Sequence, residues 1–198
     1  MSNEIKPIET IYNGYKFRSR AEARWAIFFD EMGIKYVYEP EGLNIDGVFY
    51  LPDFYLPESK SFFEVKGIMS DKDQEKIDAL VKAGYSVTVG YSDFTFEACT
   101  NNAIYWDCDD DFSQGEAVSS VLAKCRKCEK YWFMDYEGAW ECQCCGHYEG
   151  NNGFYEYAYG EQLNLWNEEA ILALNKAKQA RFEHGESPTK EVTTWDRL

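Results

Sequence analysis

The sequence predicts an α/β fold that runs helix, three strands, helix, strand, followed by a cysteine-bearing module and a C-terminal helix. Three observations carry that expectation. Apolar residues recur at helical spacing in two stretches of the first half. Short aromatic and β-branched runs follow each of those stretches. Two Cys-x-x-Cys pairs stand together in the second half. The pattern divides the chain into a core over 1–92, an acidic linker over 93–120, the cysteine module over 121–150, and a helix with its tail over 151–198.

The first helix is expected over 19–32. Ser19 can cap it with Glu22 at the third helical position, and Gly33 suits the left-handed residue that ends a helix. Ala21, Trp25, Phe28, Phe29 and Met32 form its apolar stripe. Strands are expected over 35–39, 48–56 and 61–66. Pro52 marks an end, a bulge or an edge within the second, because proline cannot donate to a central ladder. Ser70 or Asp71 caps a second helix that runs to about Ala83, with Ile77, Leu80 and Val81 on its apolar side and Gly84 at its end. Residues 85–91 make a further strand, with Val87 and Val89 on one face. Residues 92–120 read as irregular, and Asp107, Asp109, Asp110 and Asp111 as a solvated loop. A last helix is expected over 160–184. Its stripe of Leu163, Trp166, Ala170, Leu174 and Ala177 suits packing on the core or on a second subunit. His184 sits just beyond it in a structural position, and 187–198 form a loose tail.

With 198 residues, 45% of them hydrophobic, the chain suits one domain, or one domain and a small module. No apolar run reaches the roughly 20 residues of a membrane span. Residues 1–7 are polar, include Glu4, and lack the regions of a signal peptide, so a cytosolic protein is expected. Disulfides are rare in that compartment, which turns clustered cysteines toward metal binding. The net charge of −15 runs against the basic face usual for nucleic-acid binders. Basic residues are nonetheless grouped at Lys16, Arg18, Arg20 and Arg24.

Pro52-Asp53 and Glu64-Val65-Lys66 form the first chemical constellation. Phosphodiester hydrolysis needs a metal held by hard oxygens, an activated water, and neutralisation of the charge that builds at phosphorus. Asp53 and Glu64 can supply carboxylates from neighbouring strands. Residues two apart on a strand share a face, so Lys66 emerges beside Glu64 while Val65 faces away. There it can orient or deprotonate the water, or stabilise the transition state. Arg18, Arg20, Arg24, Lys72 and Lys76 can hold phosphates. Each of them also reads as a plain solvated charge.

Cys125-Arg-Lys-Cys128 and Cys142-Gln-Cys-Cys145-Gly form the second constellation. Two such pairs can place four thiolates tetrahedrally around Zn²⁺, as in a zinc ribbon. Cys144 and His147 are alternative ligands, though the spacing favours Cys142 and Cys145. Redox-active thiols are the competing reading of the pairs. Residues 131–140 read as a hairpin that turns near Glu137-Gly138. Tyr131, Trp132, Phe133, Tyr136 and Trp140 can either stack on bases or pack the module. Cys99 and Cys108 read as ordinary small residues.

Pro52-Asp53 and Glu64-Val65-Lys66-Gly67 behind a capped helix resemble the PD-(D/E)xK nuclease superfamily over roughly residues 10–91. Glu22 resembles the extra helical glutamate of phage and archaeal Holliday-junction resolvases. The stretches 18–25, 38–42 and 180–186 resemble a recurrent group of phage and prophage proteins. The resemblance implies an αβββαβ restriction-endonuclease-like core and Mg²⁺- or Mn²⁺-dependent cleavage without identifying the substrate; the first reading is a DNA endonuclease of a junction or repair type, in the cytoplasm of a bacterial host. It implies catalytic roles for Glu22, Asp53, Glu64 and Lys66, and metal ligation by Asp53, Glu64 and Val65. Gln74 matches a glutamine that some members use, and a homodimer would suit a junction enzyme. Glu22 is also accounted for by its capping box alone. The acidic balance favours an alternative: a nuclease-fold binding protein that grips a host defence protein or mimics DNA.

Overall fold

A computed structural model of the chain describes residues 8–45, 47–99, 120–135, 141–148, 155–160 and 165–182. In chain order the elements are β1 (Thr10–Tyr12), β2 (Tyr15–Phe17), α1 (Arg20–Glu31), β3 (Val37–Tyr38), β4 (Leu43–Ile45), β5 (Val48–Tyr50), β6 (Phe54–Leu56), β7 (Ser61–Lys66), α2 (Asp71–Lys82), β8 (Ser86–Tyr91), β9 (Phe96–Cys99), β10 (Ser120–Cys125), β11 (Tyr131–Asp135), β12 (Tyr155–Gly160), β13 (Leu165–Trp166) and α3 (Glu168–Gln179). The fold is mixed α/β. No described helix is long and apolar enough to cross a membrane.

The central sheet has five strands in the order β3-β6-β7-β8-β9. β6 and β7 are antiparallel with Phe54 opposite Phe63, and β7 and β8 are parallel with Glu64 opposite Val89. A parallel neighbour needs a crossover, which α2 provides. Strand alternation then gives each helix its own face. Phe62, Val87 and Val89 pack with Ile77 and Leu80 of α2. Phe63 turns to the other side, where its ring centroid lies 4.7 Å from that of Trp25 and 5.0 Å from that of Phe29 on α1. Gly90 of β8 makes this packing possible. A Cβ there would stand 2.6 Å from Phe63 Cε1 and 2.8 Å from Trp25 Cε2.

Both main-domain helices begin and end where the local signals place them. Ser19 caps α1 and Gly33 follows its C-cap at φ +67°; Ser70 caps α2 with a reciprocal Asp73 box, and Gly84 follows at φ +94°. The single stripe expected for α1 is too narrow. Glu22, Ala23, Trp25, Ala26, Ile27, Phe28 and Phe29 are all buried. The sheet covers one side of α1, and α3 packs on another through the buried residues Ala170, Ala173, Leu174 and Ala177.

Three expectations need correction. The strand expected over 48–56 is two strands in different sheets: β5 pairs with β4, β6 with β3 and β7. The break falls at Pro52, which has no N–H to donate. The segment expected to be irregular from 92 begins with β9, which runs antiparallel to β8. The last helix starts at Glu168, because the Asn167 side chain caps it by accepting from Ala170 N at 2.8 Å; Trp166 belongs to β13. Among the described residues β11 pairs with β10, which precedes it, with Lys124 opposite Tyr131; the second half of the hairpin expected over 131–140 lies outside them. Residues 1–7, Asp107 to Asp111 with Cys108, Tyr136 to Trp140, Leu163, His184 and the tail lie outside the described residues.

The cysteine module is joined to the core by packing. β10 and β11 lie in a second sheet, ordered β11-β10-β12-β13. Phe133 of β11 is 2% exposed, with its ring 5.1 Å from Phe63 and 4.9 Å from Phe96. Lys130 pairs with Glu58 at 3.0 Å, and the Tyr131 hydroxyl donates to Glu169 of α3 at 2.6 Å.

Candidate functional site

The antiparallel register of β6 and β7 carries Asp53 to the place opposite Glu64, one residue beyond Phe54 and Phe63. The two residues close the end of this strand pair reciprocally. Asp53 N donates to Glu64 Oε1 at 3.0 Å, and Val65 N donates to Asp53 Oδ2 at 2.9 Å. Asp53 and Glu64 are 6% and 2% exposed. Lys66 lies on the Glu64 side of β7, with Nζ 3.1 Å from Glu64 Oε2 and 3.5 Å from Asp73 Oδ1. Asp53, Glu64, Lys66 and Asp73 line one cleft of about 250 Å³, together with Arg18 and Lys76.

Two buried carboxylates side by side repel each other. Burial, and then the Glu64 charge, push the Asp53 carboxyl up to about 7, although the Val65 amide and Lys66 oppose the shift. Lys66 moves the other way. Burial would lower it, but Glu64, Asp53 and Asp73 outweigh that cost and hold it above the usual lysine range. Lys66 is therefore a fixed positive charge at neutral pH, and Asp53 titrates near neutrality.

The remaining sequence-predicted residues divide. Arg18 spans the cleft mouth, 2.7 Å from Asp53 Oδ1 and 2.8 Å from Glu39 Oε1. Glu22 is buried but does not line the cleft. Its oxygens accept from the Ser19 and Tyr38 hydroxyls, both at 2.7 Å, and from Arg18 N at 3.0 Å, so it anchors the segment that carries Arg18. Val65 packs its side chain against the α1 side of the sheet, which leaves only its main chain for ligation. Arg20, Arg24 and Lys72 do not line the cleft. Gln74 is turned to Asp78 at 2.8 Å.

Sequence reasoning missed Tyr50, Asp73 and the β4–β5 hairpin. The Tyr50 hydroxyl donates a hydrogen bond to Glu64 Oε1, and burial keeps that phenol protonated. Nothing local to Tyr50 announces this partner. Asp73 doubles as the capping-box residue of α2. The hairpin did carry a signal, the Asp46-Gly47 dipeptide between apolar alternations.

The second candidate centre is a four-cysteine cluster. The sulfurs of Cys125, Cys128, Cys142 and Cys145 all lie within 4.8 Å of one another. Cys125 and Cys145 are 3.9 Å apart, Cys128 and Cys142 3.8 Å. Four thiolates at about 2.3 Å from a tetrahedral Zn²⁺ would be about 3.8 Å apart, so the set could hold a metal such as zinc. The two turns repeat one design. Glu129 N bonds Cys125 O and Gly146 N bonds Cys142 O, while Cys125 N bonds Lys130 O and Cys142 N bonds His147 O. In each turn the fifth residue is left-handed: Glu129 at φ +57°, Gly146 at φ +65°. Cys144 stands outside the set, with its sulfur 3.7 Å from Tyr131 O. Tyr131, Trp132 and Phe133 are 7%, 1% and 2% exposed, so packing rather than base stacking is their role.

Comparison with models of protein families, with characterised proteins and with solved structures returns no match for this chain.

Proposed function

We propose that the chain is a divalent-metal-dependent endonuclease that hydrolyses DNA phosphodiester bonds, in an αβββαβ core of the restriction-endonuclease type. One observation carries the reading: two buried carboxylates and a lysine ammonium from separate strand positions meet in one open cleft. The donors are all oxygens, which suits Mg²⁺ or Mn²⁺. Asp53, Glu64 and the Val65 carbonyl would hold the ion. When bound, it supplies Lewis-acid activation of the scissile phosphate and of water. The positive charge of Lys66 then serves to offset the negative charge that grows on the phosphoryl oxygens, rather than to take a proton. Arg18 and Lys76 at the cleft supply cations for flanking phosphates. Glu22 acts through Arg18 and Tyr38 as a positioning residue.

The net charge of −15 favours a second reading, a binding protein that keeps this fold and works by contact with another protein. Cleavage assays separate the two. The protein is incubated with duplex, branched and single-stranded DNA in Mg²⁺ or Mn²⁺, beside Asp53→Ala and Lys66→Ala. We expect metal-dependent cleavage, lost with Asp53→Ala and reduced about 10²- to 10³-fold by Lys66→Ala. Cleavage that survives both substitutions overturns the site, and failure on every substrate together with tight binding to a protein supports the second reading.

A further inference from the structure

Successive side chains on β5 face opposite ways. Tyr50 turns inward to Glu64 and is 7% exposed, while Phe49 turns outward and is 68% exposed. Phe49 nonetheless lines the same cleft as Asp53 and Glu64. A single exposed phenyl ring is ordinary at a protein surface; what sets this one apart is that it lines the carboxylate cleft, where a bound ligand would meet it.

The ring is held by its surroundings. A side chain at Gly42 would overlap it, with the added Cβ 2.7 Å from Phe49 Cε2, so glycine leaves the ring its seat. The strand beneath is fixed as well. β4 and β5 pair with Asn44 opposite Phe49, and the turn between them is tied by Gly47 N donating to Asn44 Oδ1 at 3.0 Å, with Gly47 at φ +87°. Phe49 is thus displayed on a short, closed ribbon at the edge of a polar cleft.

We propose that Phe49 is a stacking platform for unpaired bases, and that the cleft takes DNA with a single-stranded gap, flap or branch in preference to continuous duplex. The inference rests on the reading of the cleft as a nucleic-acid site. Stacking on an aromatic ring strengthens binding roughly 5- to 150-fold per base. A base inside a duplex must first give up its own stacking, a cost of similar size, so it gains little. An unpaired base has no such cost. The charge balance points the same way. A net charge of −15 opposes the approach of phosphates outside the few cations at the cleft, whereas the faces of bases are uncharged.

The test uses the full chain carrying Asp53→Asn to block cleavage, and DNA with 2-aminopurine either in a single-stranded gap or inside a duplex. We expect quenching of the gap fluorophore on binding. Adding Phe49→Ala should abolish the quench and weaken gapped-DNA binding at least about 5-fold, with duplex binding unchanged. Phe49→Trp should restore both. Phe49 is exposed, so these changes leave the fold intact. Equal quenching with and without the ring overturns the proposal, as does equal weakening on gapped and duplex DNA. If wild-type protein cuts gapped and duplex DNA alike without any quench, this inference fails and the nuclease reading stands. If nothing is cut but a Phe49-dependent quench remains, the nuclease reading fails and this one stands.

Discussion

In the cysteine cluster the four sulfurs come from two tight turns, and each turn closes its own main-chain bonds. In the carboxylate cleft the polar groups come from the segment before α1, from β5, from the β5–β6 link, from β7 and from α2, and they are held by one another's side chains. The two sites also differ in what stabilises them. The cluster brings together thiols that a shared metal ion would hold in order. The cleft keeps its shape through protein hydrogen bonds, at the expense of placing Asp53 and Glu64 together under burial. A site built from turns would depend on an ion for its structure, whereas a site built from a sheet holds its strain in advance of any ligand.

The sharpest way to break this contrast is to remove metal. Structural zinc contributes on the order of 10 kcal/mol in isolated finger peptides. Serine at both Cys125 and Cys142 should abolish amide protection in β10 and β11 and lower Tm by about 10 °C or more. Magnesium-free buffer should leave the fold around Asp53 and Glu64 intact. Hydrogen exchange reads both regions at once, and unchanged protection in β11 of the double variant would remove the metal from the account.

Next in size is the joint between the regions. Phe133 belongs to the cysteine module but is buried among Phe29, Phe63 and Phe96 of the core. Phe133→Ala should cost about 3–5 kcal/mol of global stability by denaturant unfolding. A separate early transition for the module, with the core's midpoint unmoved, would show that the packing does not couple them.

Smaller still is the strain in the cleft. The Asp53 carboxyl binds its proton more tightly in the folded chain than in the unfolded one. Its stabilising contribution is therefore full below about pH 4 and is lost as pH rises through about 7. In magnesium-free buffer Asp53→Asn should raise Tm by a few degrees at pH 8, where each kcal/mol is worth roughly 2–4 °C, bring a smaller gain at pH 5 and none below about pH 4. Mn²⁺ should stabilise wild type more at pH 8 than at pH 5. A gain of equal size at both pH values would assign the effect to packing instead of charge. The smallest effect belongs to the surface: Lys176→Ala removes the exposed ion pair to Glu31 between α3 and α1 and should shift stability by less than about 1 kcal/mol.

How far each part was legible follows from the range of the interaction that makes it. The ends of α1 and α2 were, since Ser19 and Ser70 make their capping bonds three residues away. The two Cys-x-x-Cys turns were legible for the same reason. Asn13-Gly14 and Asp46-Gly47 are equally local, and both mark hairpins, β1–β2 and β4–β5, that a search for apolar periods alone passes over. Period also misled at Trp166, where apolar spacing suited a helix but the residue lies in β13 and the Asn167 cap begins the helix after it.

The sequence by itself determined the limits of α1 and α2, the pairing of cysteines into two turns, and the sharing of one strand face by Glu64 and Lys66, because each depends on neighbours a few residues apart. Only the tertiary structure decided that Asp53 lies against Glu64, that Tyr50 and Asp73 join them, that Glu22 serves Arg18 rather than the cleft, and that Phe133 ties the module to the core. Those contacts close between elements whose separation along the chain carries no periodic or capping signal. They exist because burying both faces of one sheet leaves a single arrangement of the strands beneath them.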